Sequence, residues 1–139
     1  LITSPHLTFI FPIDTSIDED VLKWHISSVL RHWQPFDITL DGIVKSWDNY
    51  IFLTVGKGLS EVIKLHDNLY TGVLTSHLRA DIEYIPHITI GVISKARSDE
   101  ALSQANALNI KQDIHLNKLQ LIRCKDDNTP HEWEMSFDL

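Results

Sequence analysis

Two histidine–threonine pairs are the residues of this chain best suited to chemistry. His6 and Thr8 form one pair, His87 and Thr89 the other, and a proline precedes each histidine. In a β-strand, residues i and i+2 point to the same face, so each pair presents an imidazole beside a hydroxyl. One neutral and one protonated imidazole can deprotonate an attacking oxygen and protonate a leaving oxygen, while the hydroxyls donate to the other phosphate oxygens. The four residues therefore predict acid–base chemistry on a phosphodiester, which requires neither a metal nor a cofactor.

Alternating apolar residues around each pair predict the strands that position them. The predicted strands span about 5–13 and 85–93, and their inward-facing residues are Leu7, Phe9 and Phe11 in one and Ile88, Ile90 and Val92 in the other. The histidines and threonines then face outward into a groove. Gly91 follows Thr89 on the same face, which indicates either close approach of a ligand or a β-bulge.

The order of the predicted elements repeats along the chain. In the first half the strand is followed by a helix at about 18–34, capped by Ser16 and ended by Pro35, and by strands at 36–46 and 50–55. In the second half it is followed by a helix at about 99–108, capped by Ser98, and by strands at 114–123 and 132–138. A helix at about 59–70 and a polar stretch at 71–83 join the two halves.

This repeat predicts an α+β fold that is bilobal. We expect two pseudo-symmetric strand-helix-strand-strand units, with antiparallel sheets around a central cleft. Residues 1–139 then form a single domain, with lobe one at about 1–57, lobe two at about 84–139, and the linking helix and loop at 58–83.

Composition restricts the substrate and the compartment. The 139 residues are 43% hydrophobic, which is ordinary for one globular domain, and no stretch approaches the ~18 apolar residues of a membrane span. Cys124 is the single cysteine; we expect a buried, inert thiol and a cytoplasmic protein. The net charge is −7 and basic residues are scattered, so we expect no surface for long nucleic acid. A nucleic-acid partner is then a small nucleotide or an RNA end.

The remaining histidines and aromatic residues suggest fewer roles. His25 and His32 share a face of the first predicted helix, but no cysteine pair or carboxylate cluster accompanies them, so we predict a solvated helix face and no metal site. Aromatic faces bind nucleobases without charge. Our candidates for this substrate-binding role are Phe52, Tyr84 and Trp133.

The two motifs, Pro-His-Leu-Thr at 5–8 and Pro-His-Ile-Thr-Ile-Gly at 86–91, resemble the paired motifs of the two-histidine (2H) phosphoesterase superfamily. The short chains of its 2′-5′ RNA ligase-like group are the most similar. The resemblance implies a bilobal α+β fold, with His6 and His87 as the acid–base pair and Thr8 and Thr89 binding phosphate. Many members carry a basic or polar residue after the second motif, where this chain has Gly-Val-Ile; Lys45 and Arg123 are the candidates to replace it.

The leading hypothesis is an enzyme of the hydrolase class. The resemblance implies metal-independent hydrolysis of 2′,3′-cyclic or 2′-linked phosphodiesters, on RNA ends in RNA processing or on small nucleotides. The alternative is a non-catalytic nucleotide- or RNA-end-binding module on the same fold, and a third reading is a metal-dependent hydrolase. The choice of which histidine is the base, and the oligomeric state, stay open at this stage.

Overall fold

The computed structural model describes residues 5–13, 17–46, 48–124 and 130–139, without the side chains of Lys95 and of residues 130–134. It mixes helices and strands, which confirms the predicted α+β class. The strands are β1 Phe36–Lys45, β2 Tyr50–Val55, β3 His87–Val92, β4 Gln112–Leu116, β5 Lys118–Cys124 and β6 Pro130–Asp138. The helices are α1 Glu19–Leu30, α2 Leu59–Leu69 and α3 Ser98–Ala107, with 3-10 helices at Gly72–His77 and Lys95–Arg97.

The chain divides into two compact units, each assembled from three segments. The first contains Leu1–Thr8, Asp37–Val62 and Tyr84–Ile114, and the second contains Phe9–Phe36, Ile63–Glu83 and His115–Leu139. Both histidine–threonine pairs therefore belong to the first unit. The lobe limits expected from the sequence stay a prediction.

The first unit is built on a four-stranded sheet with the order β3-β2-β1-β4. β2 pairs antiparallel with β1 on one side and with β3 on the other. Ile51, Phe52, Leu53 and Val55 of β2 are all buried. Such a continuous apolar run is typical of a central strand that is covered on both faces.

The second unit combines the two-stranded sheet β5-β6 with α1 and most of α2. Its buried apolar residues include Leu30, Leu65, Leu69, Leu74 and Phe137. A buried histidine ties its two helices together, because His25 Nε2 donates to the Leu69 carbonyl at the end of α2 at 2.9 Å. This bond satisfies one of the carbonyl groups that a helix leaves unpaired at its C-terminus.

Pseudo-symmetry between the two halves is not confirmed. Residues 5–13 are all described and contain no strand, so the predicted strand there is wrong. Two prolines, Pro5 and Pro12, remove backbone donors near the ends of this segment, which weakens any ladder it could form. The strand predicted at 114–123 is in fact two strands, because the chain leaves the four-stranded sheet after Leu116 and enters the two-stranded one at Lys118.

The helices begin close to their predicted limits but with different caps, and α1 ends at Leu30, before the end predicted at about 34. The side chain of Asp18 caps α1 by accepting from the amides of Asp20 at 2.9 Å and Val21 at 3.2 Å. An aspartate suits this position because its charge also opposes the helix dipole. Ser16, the predicted cap, lies outside the described residues. Ser98, the predicted cap of α3, is instead the first residue of that helix, and Arg97 occupies the N-cap position.

The accessibility of Cys124 differs from the expectation, and the length of the helices bears on membrane spanning. The thiol of Cys124 is exposed rather than buried, because it lies at the end of β5, where the last residues are all accessible. In the described part of the chain, no helix is both long enough and apolar enough to cross a membrane.

The hydrogen bond between His25 and Leu69 gives a test of the second unit. We expect His25→Leu to lower the free energy of unfolding by about 1–3 kcal/mol, because the Leu69 carbonyl stays buried and loses its donor. His32→Leu is the matched control, since His32 is exposed just beyond the same helix. Urea unfolding followed by circular dichroism measures both changes. Equal stability of the two variants would contradict a structural role for His25.

Candidate functional site

The second histidine–threonine pair lies on β3 as predicted. β3 is an edge strand, and in its register with β2 His87 is opposite Thr54 and Thr89 is opposite Phe52. Cross-strand partners share a face of the sheet, so these four side chains lie on one surface. Thr54 was not among the predicted site residues, although the alternation of β2 already places it on the same face as Phe52.

The imidazole of His87 is held on two sides. Its Nδ1 lies 2.5 Å from the carbonyl oxygen of Ile85. Because a carbonyl only accepts, Nδ1 carries the proton, and in the neutral ring Nε2 has the free lone pair. The ring also stacks on Phe52, with centroids 3.5 Å apart and planes at 17°.

Burial determines the proton affinity of His87. The ring is partly removed from water, and this desolvation lowers the pKa of His87 below its ordinary value. The hydrogen bond to Ile85 acts in the opposite direction, and the charge of His6 lowers the pKa further. The net result is an imidazole that is mainly neutral near pH 7, with Nε2 able to accept a proton.

The first pair is positioned without a strand. Residues 5–8 lie in the first unit, where the Tyr84 hydroxyl donates to the Thr8 carbonyl at 2.9 Å. Tyr84 thus joins the backbone of the first pair to the segment that leads into the second. His6 is exposed and lies close enough to His87 to influence its pKa electrostatically. The structure therefore brings both predicted histidines into one region of one unit.

The predicted base-stacking residues have different surroundings. Phe52 is buried against His87, with 8% of its surface exposed. Tyr84 is half-buried and its hydroxyl is engaged by Thr8. Trp133 belongs to β6, where it pairs with Ile122, but its side chain lies outside the described residues. Substrate binding by these three residues stays a prediction.

The two candidates for an additional phosphate contact, Lys45 and Arg123, belong to different units. Lys45 ends β1 opposite Ile51, whereas Val44 is opposite Phe52, so Lys45 belongs to the other face of the sheet. Arg123 lies in the second unit, where its guanidinium donates to the Glu19 carboxylate at 2.8 Å. Neither Lys45 nor Arg123 belongs to the face of the β2–β3 pair that carries His87 and Thr54.

A β-bulge follows Thr89. The register of β2 and β3 shifts between Ile51 and Phe52, so Ile90 has no partner of its own. Gly91 comes directly after this extra residue, and no atom lies within 4 Å of the position that its Cβ would occupy. The sequence left open a bulge or a close approach by ligand; the bulge is present, and the space beside Gly91 is open.

The described histidine, cysteine and carboxylate side chains bear on metal binding. Over the described ranges, no three histidine, cysteine, aspartate or glutamate side chains lie together in a way that could hold a metal ion. His25, one of the two histidines considered for a helix-face metal site, is buried and bonded to Leu69. This correction has a simple cause: His25 faces the core rather than solvent.

Comparison with known proteins connects this geometry to a family. No curated protein matches the chain. The family model described as the 2′-5′ RNA ligase superfamily matches residues 3–128, which includes both histidine–threonine pairs and every strand from β1 to β5. Members of this superfamily are in general phosphoesterases or ligases. The chain therefore belongs to the 2′-5′ RNA ligase superfamily of two-histidine phosphoesterases.

Proposed function

We propose that this protein is a metal-independent phosphodiesterase that hydrolyses 2′,3′-cyclic or 2′-linked phosphodiesters of RNA ends or small nucleotides. Family membership supports phosphoester chemistry. The observation that carries the proposal is the state of His87: its Nδ1–H is bound to Ile85, and burial favours the neutral ring. An imidazole in that state is suited to act as a general base.

In the proposed reaction, His87 is the base and His6 the acid. Nε2 of His87 takes a proton from water as the water oxygen bonds to phosphorus. The bond from phosphorus to one ribose oxygen breaks, and that oxygen receives a proton from the His6 imidazolium. The products are a phosphomonoester and a free hydroxyl, and solvent restores the two histidines.

Thr8 and Thr89 are the proposed phosphate-binding residues. Their hydroxyls donate to the non-bridging oxygens, which carry negative charge in the transition state. Thr89 is exposed on β3 and Thr8 is half-buried. Neutral donors of this kind suit a protein with a net charge of −7, which does not bind the backbone of long nucleic acid readily.

A cytoplasmic location and a role in RNA processing belong to the same proposal. An exposed free thiol such as Cys124 persists in a reducing environment, which supports a cytoplasmic location. RNA processing follows from the family's chemistry rather than from any contact in this chain.

Substitution of either histidine tests the acid–base pair. We expect His6→Ala and His87→Ala each to lower turnover of 2′,3′-cyclic nucleoside monophosphates by at least about 100-fold, because each removes a proton-transfer group. His32→Ala is the control, since His32 is exposed in the second unit. The assays contain excess chelator and the folded state is checked by circular dichroism. Nucleotide binding without turnover in the wild type would favour the binding module, and loss of turnover on adding chelator would favour a metal-dependent hydrolase.

The pH profile tests the assignment of His87 as the base. Burial lowers its pKa below the ordinary 6.5, and a base must be deprotonated to accept a proton. We therefore expect kcat/KM to rise with pH through a midpoint below 6.5 and to fall again at higher pH, when the acid loses its proton. Initial rates between pH 4.5 and about 9 measure this profile. A profile that only falls with pH would be incompatible with His87 as the base.

The Tyr84 hydroxyl is expected to contribute modestly. Tyr84→Phe removes one neutral hydrogen bond to the Thr8 carbonyl, so we predict a fall in kcat/KM between about twofold and tenfold. Tyr70→Phe is the matched control, because the Tyr70 hydroxyl also forms one hydrogen bond to the backbone, accepting from the Phe11 amide, but in the second unit. Identical activity of the two variants would show that the hydrogen bond does not position Thr8.

A further inference from the structure

Phe52 makes the closest ring contact of the site. Its centroid lies 3.5 Å from that of His87, and the two planes are nearly parallel, at 17°. In the strand register Phe52 is directly opposite Thr89, whereas His87 is opposite Thr54. The imidazole therefore leans along the sheet, over a diagonal neighbour, instead of standing above its own partner.

Two contacts together fix the ring of His87. The hydrogen bond from Nδ1 to the Ile85 carbonyl fixes which edge of the imidazole faces the backbone. The stack on Phe52 fixes the plane of the ring. Neither contact alone determines both side-chain torsions, because a ring held at one nitrogen can still tilt. With both present, Nε2 is left as the edge that meets the substrate.

The burial of Phe52 argues against a base-stacking role. Only 8% of its surface is exposed, and His87 covers one face of its ring. Stacking of a nucleobase requires an open aromatic face. Phe52 therefore has little surface left for a base.

We infer that Phe52 is a positioning residue, which acts on the reaction by holding the imidazole of His87 in its productive orientation. This inference rests on the proposed function, since it assigns to Phe52 a role in the proton transfer by His87. Phe52 itself touches neither the attacking water nor the phosphate in this scheme. Its flat face replaces water on one side of the imidazole and prevents the ring from tilting.

The contact has two opposite electrostatic consequences. Covering the imidazole with a ring removes water and favours the neutral form. An aromatic face also attracts a cation, which favours imidazolium. Burial is the largest cause of the lowered pKa of His87, and the Phe52 ring covers one face of the imidazole, so we expect the first effect to be the larger. Loss of the Phe52 ring should therefore raise the pKa of His87.

The experiment is a titration of His87 by NMR in the wild type, Phe52→Leu and Phe137→Leu. Phe137 is the matched control, because it is equally buried, with 6% exposed, but lies in β6 of the second unit. We expect the His87 midpoint to rise toward 6.5 in Phe52→Leu and to be unchanged in the control. Phe52→Met is the second variant if Phe52→Leu does not fold, since methionine fills the space without a flat face.

Kinetics on 2′,3′-cyclic nucleotides provides the second readout. We expect kcat to fall about tenfold to a hundredfold in Phe52→Leu with little change in KM, and the acid limb of the pH profile to move upward with the NMR midpoint. A fall in the His87 midpoint, or no change in it, would overturn the inference. A raised KM with unchanged kcat would also overturn it, and would restore Phe52 as a base contact. Because the NMR titration does not depend on turnover, a wild type that hydrolyses nothing would refute the proposed function alone.

Discussion

The antiparallel pairing of β2 with β3 is the interaction on which the candidate site depends. The ladder extends beyond both ends of β3: the Val55 amide donates to the Pro86 carbonyl at 3.2 Å, and the Ile93 amide donates to the Asn49 carbonyl at 2.9 Å. Pro86 can occupy this position because its carbonyl is used and its missing amide is not required. The register that results places His87 and Thr89 on the face that also carries Phe52. A slip of one residue would turn both to the other face.

The two histidine–threonine pairs reach the same unit by different means. The second pair takes its geometry from a sheet, so the i, i+2 relation of His87 and Thr89 follows from strand geometry. The first pair has no ladder and depends on side-chain contacts, among them the hydrogen bond from Tyr84 to the Thr8 carbonyl. Strand pairing therefore fixes the position of the second pair, whereas individual hydrogen bonds hold the first pair.

Polar groups in both units are used to fix geometry at the ends of elements. In the first unit, Ile85 immediately before β3 accepts from His87, and in the second unit Leu69 at the end of α2 accepts from His25. Over the described residues, every buried side-chain nitrogen and oxygen has a hydrogen-bond partner. The two histidines differ in their accessibility. His25 is buried, whereas His87 is half-buried, and its Nε2 carries the free lone pair of the neutral ring.

The sequence by itself determined the elements and the chemistry. Apolar periodicity predicted the start of α1 and placed α2, α3, β1, β2, β3 and β6 close to their observed limits, since each depends on local alternation or on a helical stripe. The residue types of the two pairs, together with their shared context, were enough to identify the family. The predictions that depend on tertiary contacts were wrong. Residues 5–13 alternate like a strand but pair with no other strand, and Cys124 has a strand-like context but is exposed.

Only the tertiary structure decided which strands pair and what each aromatic ring touches. A repeat in the order of elements suggested two equivalent units, but β3 joins the sheet of the first half because its backbone groups find β2 there. Phe52 was a candidate for base stacking, but the sequence did not show that its strand pairs with β3 or that His87 covers its ring. The tautomer and lowered pKa of His87 likewise arise from groups that pairing and burial bring together. The local sequence pattern therefore determines which element a segment forms and which side chains share a face. Long-range contacts determine which strands pair and the proton affinity of His87.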